Sequence, residues 1–183
     1  MPRYRRTRRY RRKSGRWSSN ITTITKESIA AASGSWYGTL VLATNPVQVN
    51  TGVSQTFTAK NFEISFTLEG TPSASLWSLD AISAYIMYVP QGMTVTDAYE
   101  SQHPEYILNY KYYGSPTSAY VQSVGNPENY MLQHFQPMKI KSRLSRKLQT
   151  GDSIVLLIKG SNASSSTTNL ILSGIVRWWT KAN

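Results

Sequence analysis

The pattern of apolar and polar positions between residues 62 and 69 is the clearest structural signal in this chain of 183 residues. Phe62, Ile64, Phe66 and Leu68 alternate with polar side chains. Because successive side chains of a strand point to opposite faces, this period of two predicts a β-strand with one buried and one solvated face.

Seven further segments are rich in β-branched, aromatic or aliphatic residues and are bounded by residues that favour turns. They are Asn20 to Ile29, Tyr37 to Val49, Ala81 to Val89, Ile107 to Tyr113, Met138 to Ser145, Ser153 to Lys159 and Asn169 to Thr180. Turn formers such as Pro90-Gln91-Gly92 and Thr150-Gly151-Asp152 separate them. One short helix is predicted from Thr96 to Gln102, before Pro104. About eight strands with little helix predict an all-β sandwich or barrel.

The formal net charge of +11 is concentrated at the N-terminus. Nine of the 20 Lys and Arg residues precede Trp17, and no acid does; the nine are Arg3, Arg5, Arg6, Arg8, Arg9, Arg11, Arg12, Lys13 and Arg16. The rest of the chain holds the other 11 basic residues and all nine acids, which leaves it at +2. The sequence therefore predicts a flexible basic arm, residues 1–16, and a nearly neutral folded domain, residues 17–183.

The composition of the arm points to nucleic acid. Guanidinium groups bind phosphates through paired hydrogen bonds, and Tyr4 and Tyr10 can stack on unpaired bases. We therefore expect the arm to bind single-stranded nucleic acid without a base-specific code. A nuclear localisation signal, read by a host import receptor, is a compatible second role.

A second basic segment runs from Met138 to Lys147. On an extended strand Lys139, Lys141 and Arg143 are expected on one face, with Ile140 and Leu144 on the other. These cations have three possible partners. They can bind nucleic-acid phosphate, pair with acids of a neighbouring subunit such as Glu63 or Glu69, or face solvent.

The chain offers little material for catalysis or metal binding. It has no cysteine and two histidines, and it contains no phosphate-binding glycine loop, nucleophile elbow or HExxH motif. One cluster of Asp97, Glu100, His103 and Glu105 is interrupted by Pro104 and is expected to be an ordinary solvated loop. We predict no enzyme activity, no metal and no cofactor. No apolar run approaches the length of a membrane span, so no membrane partner is expected.

The aromatic residues predict contacts between subunits. Twelve tyrosines and five tryptophans are present, and several tyrosines lie close to predicted loops: Tyr110, Tyr112, Tyr113, Tyr120 and Tyr130. Such residues are enriched at protein interfaces. Trp178 and Trp179 are expected on opposite faces of the last strand, so at least one of them leaves the core.

Four segments in this order resemble one known family: RRYRRK, YIMYVPQG, HPEYILNYKYYGSP and KSRLSRKLQTGDSIVLLIKG. They are similar to the capsid proteins of circular, Rep-encoding single-stranded DNA viruses, the circovirus-like group. The resemblance implies a single jelly roll of two four-stranded sheets and sixty copies in an icosahedral T=1 shell. It also implies an inward arm that contacts the genome, location in the virion, and passage through the host nucleus during assembly. It implies loop anchors at HPEY and GSP, and a tight turn at Gly151-Asp152.

The charge of the arm is too small for this role alone. Sixty arms supply about 540 positive charges, whereas a genome of about one to two thousand phosphates carries about one negative charge for each. Lys139, Lys141 and Arg143 are therefore expected to share the contact with the genome. An RNA genome, as in satellite-virus coats with the same short length, stays open. A cellular β-barrel protein with a basic, nucleic-acid-binding tail is the alternative outside virology.

Deleting residues 2–16 should remove most of the salt dependence of binding to a single strand. If all nine arm cations displace counterions, the logarithm of the association constant falls with the logarithm of salt concentration at a slope of about −6. Fluorescence anisotropy titrations of a labelled oligonucleotide measure this slope for the full and the shortened chain. Equal slopes for both chains would contradict a phosphate-binding arm.

Overall fold

The computed structural model describes residues 16–45, 56–70, 79–114, 137–162 and 167–182. The strands are β1 (Ser18–Ala31), β2 (Gly34–Thr44), β3 (Phe57–Gly70), β4 (Leu79–Val89), β5 (Ile107–Gly114), β6 (Met138–Leu148), β7 (Ser153–Asn162) and β8 (Thr168–Ala182). All eight predicted strands are confirmed, and most extend beyond the predicted limits. The predicted residues 46–49 of the second strand lie outside the described residues.

The strands form two sheets of four, and all neighbouring strands are antiparallel. Sheet A has the order β1-β8-β3-β6, and sheet B has the order β2-β7-β4-β5. Apart from β4 and β5, strands that follow each other in sequence lie in opposite sheets. Two facing four-stranded antiparallel sheets connected in this way form a jelly roll, so the predicted fold class is confirmed.

The main core lies between the sheets and is built from alternate positions of their strands. Phe62 and Phe66 of β3 enter it from sheet A, and Ile86 of β4 and Leu156 of β7 enter it from sheet B; none is more than 1% exposed. Each large apolar side chain buried in this way stabilises the fold by about 1.5–3 kcal/mol. The apolar residues that recur at every second position of the sequence therefore form the inner face of each sheet.

A second, smaller core covers part of the outer face of sheet B. Met87 of β4 and Leu157 of β7 point away from the main core, yet both are 0% exposed. Tyr99, 1% exposed, packs on them from the helix α1 (Tyr99–Gln102), which a 3-10 turn follows at Pro104–Tyr106. The predicted helix is therefore confirmed only for its last four residues. Across the described ranges, no helix is both long and apolar enough to cross a membrane.

A β-bulge between β3 and β6 contradicts the prediction for Leu144. Phe62 is paired with Ser142, but Lys60 is paired with Ser145, so two residues of β6 lie opposite Asn61 alone. Asn61 has a φ of 53°, a conformation that asparagine tolerates better than most residues. Leu144 lies within this bulge and is 56% exposed, although Ser142 before it and Leu148 after it are buried at positions of the same alternation.

Asp152 is a buried carboxylate, 4% exposed, at one end of the sandwich. It accepts hydrogen bonds from the Tyr88 hydroxyl at 2.6 Å and from the backbone N–H groups of Gln91 at 3.0 Å and Gln149 at 2.8 Å. Burial and the bond to this carboxylate raise the pKa of Tyr88 to about 12. The tight turn expected at Gly151-Asp152 is confirmed, with Gly151 at a φ of +87°. Asp152 thus connects β4, the loop after it and the turn before β7.

Replacing Asp152 by Ala should lower the free energy of unfolding by about 3 kcal/mol, because it leaves buried donors without an acceptor. Urea denaturation followed by circular dichroism measures the change. The matched control is Asp97→Ala, an exposed aspartate whose loss should cost less than about 0.5 kcal/mol. If the two variants were equally stable, Asp152 would not hold these segments together.

Candidate nucleic-acid interface

The predicted arm lies almost entirely outside the described residues. This applies to the first eight of its cations: Arg3, Arg5, Arg6, Arg8, Arg9, Arg11, Arg12 and Lys13. Arg16 is described, and it is exposed just before β1 begins at Ser18. The arm cations therefore stay a prediction, but the point where the arm joins the folded domain is described.

Three predicted cations of β6 lie at the surface of sheet A. Lys139, Lys141 and Arg143 are exposed, while the intervening Ile140 and Ser142 are 2% and 3% exposed on the inner side. Their backbone positions follow the alternation of the strand as far as the bulge. Since alternate residues of a strand are about 6.6 Å apart, the three form a row of positive charge along one edge of the sheet.

The structure adds cations from β3 and β8 to the same surface. Lys139 is paired with Ser65, and Lys141 with Glu63, whose other neighbour on β8 is Arg177. Further cations follow the same outward alternation beyond the bulge on β3, β6 and β8. We call the whole set the basic face: Lys60, Lys139, Lys141, Arg143, Lys147, Arg177 and Lys181.

Sequence reasoning missed four members of the basic face: Lys60, Lys147, Arg177 and Lys181. Lys147 ends the basic segment already noted, whereas the other three are isolated cations of β3 and β8 that the pairing of distant strands brings beside β6. A signal was present in β8, where Arg177 and Lys181 alternate around Trp179. Their relation to β6 needed the sheet order, because β3 lies between the two strands.

The basic face is poorly neutralised. Among its described side chains, Glu63 is the one acid against seven cations, which leaves a charge of +6. Its Oε1 lies 3.3 Å from Lys141 Nζ, in an exposed pair that contributes at most about 1 kcal/mol. Glu63, one of the two acids named for the alternative of a subunit contact, pairs with Lys141 of its own chain, and the side chain of Glu69 lies outside the described part of the structure. No other cation of this face forms an ion pair with an acid of the described residues.

The arm joins the domain on the basic face. Ser19 of β1 is paired with Trp179, whose partner on β3 is Lys60, so these positions share the outward side of sheet A. Trp17 lies two residues before Ser19, and Lys60 Nζ lies 3.8 Å from the centroid of its ring. The chain therefore leaves the sandwich beside the cations of β3 and β8.

Other cations of the domain have structural partners away from this face. The Arg146 guanidinium lies over the Tyr88 ring, with its carbon 4.9 Å from the centroid, and donates a hydrogen bond to the Glu105 carbonyl. Lys159 Nζ lies 2.6 Å from Glu100 Oε1, and both side chains are largely buried. These contacts hold the segment around α1 against the sandwich.

The cluster of Asp97, Glu100, His103 and Glu105 does not converge on one point. Glu100 pairs with Lys159, and His103 Nδ1 lies 3.4 Å from Glu105 Oε1. His103 is the C-cap residue that ends α1, and Pro104 begins the 3-10 turn that follows it. Within the part of the chain that the structure describes, no group of three His, Cys, Asp or Glu side chains is placed to hold a metal ion.

The predicted aromatic contacts divide between the surface and the core. Tyr110 and Tyr112 of β5 are 64% and 63% exposed, whereas Tyr113 is half-buried against Phe66. Burial raises the pKa of Tyr113 to about 12. Tyr120 and Tyr130 lie outside the described residues.

No protein-family model matches this sequence, and no curated protein matches it. The chain is similar to the crystal structure of the infectious bursal disease virus VP2 subviral particle, with 11% identity and a TM-score of 0.33 over 98% of this chain and 37% of that chain. A structure of the infectious bursal disease virus Gx strain matches with 10% identity and a TM-score of 0.37 over 93% of this chain and 33% of that chain. The chain thus spans about a third of the length of both matched chains. Similarities at this level do not assign a function.

Replacing Lys139 and Arg143 together by Gln should lower the nucleic acid carried per subunit and reduce the salt slope by about 1.4, because two phosphate contacts are lost. The ratio of absorbance at 260 and 280 nm and salt titrations measure these effects. Replacing Lys26, which is exposed on β1 at the opposite edge of sheet A, by Gln is the control for the loss of one surface charge, and it is compared with Lys139→Gln alone. Unchanged nucleic-acid content with lost assembly would place Lys139 and Arg143 at a subunit contact instead.

Proposed function

We propose that this protein is the coat subunit of a small non-enveloped virus, which assembles into a closed shell and packages a single-stranded genome. One observation carries the proposal: the arginine-rich arm enters the jelly roll at Trp17, on the side of the basic face. Arm and face can therefore bind the same polyanion. The resemblance of four sequence segments to circovirus-like coats supports the same role.

The charges of the arm and the basic face together suit a packaged genome. Nine arm cations and seven face cations, less Glu63, give 15 net positive charges per subunit. In a shell of sixty copies this amounts to about 900 charges, compared with about 540 for the arms alone. The basic face thus supplies part of the charge that the arm lacks, and Lys139, Lys141 and Arg143 contribute to it.

An exposed aromatic surface on sheet B favours self-association. The rings of Tyr85 and Tyr110 stack with their centroids 6.0 Å apart, and Tyr112 follows on the same edge strand, β5. Exposed tyrosines on an edge strand can bury a large area against a second subunit while their hydroxyl groups keep polar partners. We infer that this surface contributes to contacts between copies.

The finer assignment follows from the resemblance. We propose a circular single-stranded DNA genome, sixty subunits with T=1 symmetry, an arm that also serves as a nuclear localisation signal, and assembly in the host nucleus. A satellite-type coat with an RNA genome differs from this only in the packaged nucleic acid. The basic face also suits a second candidate, a cellular nucleic-acid-binding protein that never assembles.

Electron microscopy of the full-length recombinant protein tests the proposal. We expect uniform closed shells that protect nucleic acid from added nuclease. After the shells are opened, digestion by DNase or by RNase identifies the genome type. Stable monomers that bind nucleic acid at every protein concentration would contradict the coat function and favour the cellular candidate.

A further inference from the structure

Two tryptophans, Trp17 and Trp179, lie on the basic face, which is an outer surface of the sandwich and not part of its core. Trp178 of β8 points inward and stacks on Phe62, with ring centroids 6.4 Å apart and planes within 6°. Trp179 is the next residue and therefore lies on the opposite side of the sheet, paired with Lys60 of β3. Trp17 lies on the same side, before β1. Both outward rings are half-buried and keep part of their surface open.

Each outward ring is combined with a cation. Lys60 Nζ lies 3.8 Å from the centroid of the Trp17 ring, and the guanidinium carbon of Arg177 lies 5.0 Å from the centroid of the Trp179 ring. A cation over an aromatic face contributes a modest attraction that fixes the position of both groups. Neither cation forms an ion pair with an acid of the described residues. Their hydrogen-bond donors can therefore still bind phosphate.

This combination of indole rings and unneutralised cations fits a single-stranded nucleic acid. Unpaired bases expose a flat surface that stacks on aromatic side chains, and the backbone carries one negative charge per nucleotide. A duplex offers the same phosphates but keeps its bases stacked inside. The arm is not expected to bind the basic face, because its nine cations are repelled by a surface of the same charge.

We propose that Trp17 and Trp179 form a stacking platform for unpaired bases, with Lys60 and Arg177 binding the adjacent phosphates. The inference rests on the proposed function, since it assumes that the basic face meets the genome. It adds that the folded domain itself, and not only the arm, distinguishes a single strand from a duplex. The bound nucleic acid would continue from the arm onto the surface formed by the start of β1 and the end of β8.

Binding of the full chain to labelled oligothymidylate and to a duplex of the same length, about 20 nucleotides, tests the platform. Trp17→Ala and Trp179→Ala should each weaken single-strand binding about tenfold and leave duplex binding unchanged. The salt slope should stay the same, because no charge is removed. Trp179→Phe should recover most of the affinity, since it keeps an aromatic ring. Tyr37→Ala, which removes an exposed ring from sheet B, is the matched control and should bind as the unaltered chain does.

The outcomes separate this inference from the function on which it rests. Unchanged single-strand affinity in both tryptophan variants, or an equal loss for single strand and duplex, would overturn the platform and leave the coat function standing. An unaltered chain that binds neither probe would overturn both. Thermal unfolding shows whether each variant is folded. Should Trp179→Ala fail to fold, Trp17→Ala decides the question, because Trp17 precedes the first strand.

Discussion

The structure depends on the fact that a two-sheet sandwich can bury only one face of each sheet in its main core. Each outer face must then be covered by other residues or carry polar side chains, and the two sheets of this chain differ in this respect. On sheet B, β7 is buried on both faces from Ile154 to Ile158, because the segment around Tyr99 covers the outer side. On sheet A, the outer positions of β3, β6 and β8 carry the seven cations of the basic face together with polar side chains and a few apolar ones such as Ile175. The outer side of sheet B is therefore partly covered by apolar packing, whereas that of sheet A is cationic.

Under the proposed function, this asymmetry lets the same strands stabilise the fold and bind a polyanion. In β3 the inward Phe62 fills the core, whereas the outward Lys60, on the other side of the bulge, faces solvent. Because the two sets of positions point in opposite directions, the cations add charge without entering the core, where an unpaired charge would cost several kcal/mol. Folding and the proposed genome binding thus depend on different, alternating residues of one strand.

The sequence predicted the strands well because alternation is a local property. It also predicted the exposed row of Lys139, Lys141 and Arg143, since all three lie at alternate positions of one strand. It was wrong about Leu144, because a bulge depends on the pairing partner and leaves no mark in the strand itself. Most of the basic face was missed for a related reason. Lys60 and Arg177 are far apart in the sequence and become neighbours only through the order of strands in sheet A.

The proposed function places the outer surface of sheet A against the packaged genome. Cryo-electron microscopy of the assembled, nucleic-acid-containing particle tests it most directly, because the map gives the orientation of both sheets. We expect sheet A to line the interior, with nucleic-acid density in contact with Lys60 and Trp179. A particle in which sheet A forms the outer surface, or is buried between subunits, would show that the basic face does not bind the genome.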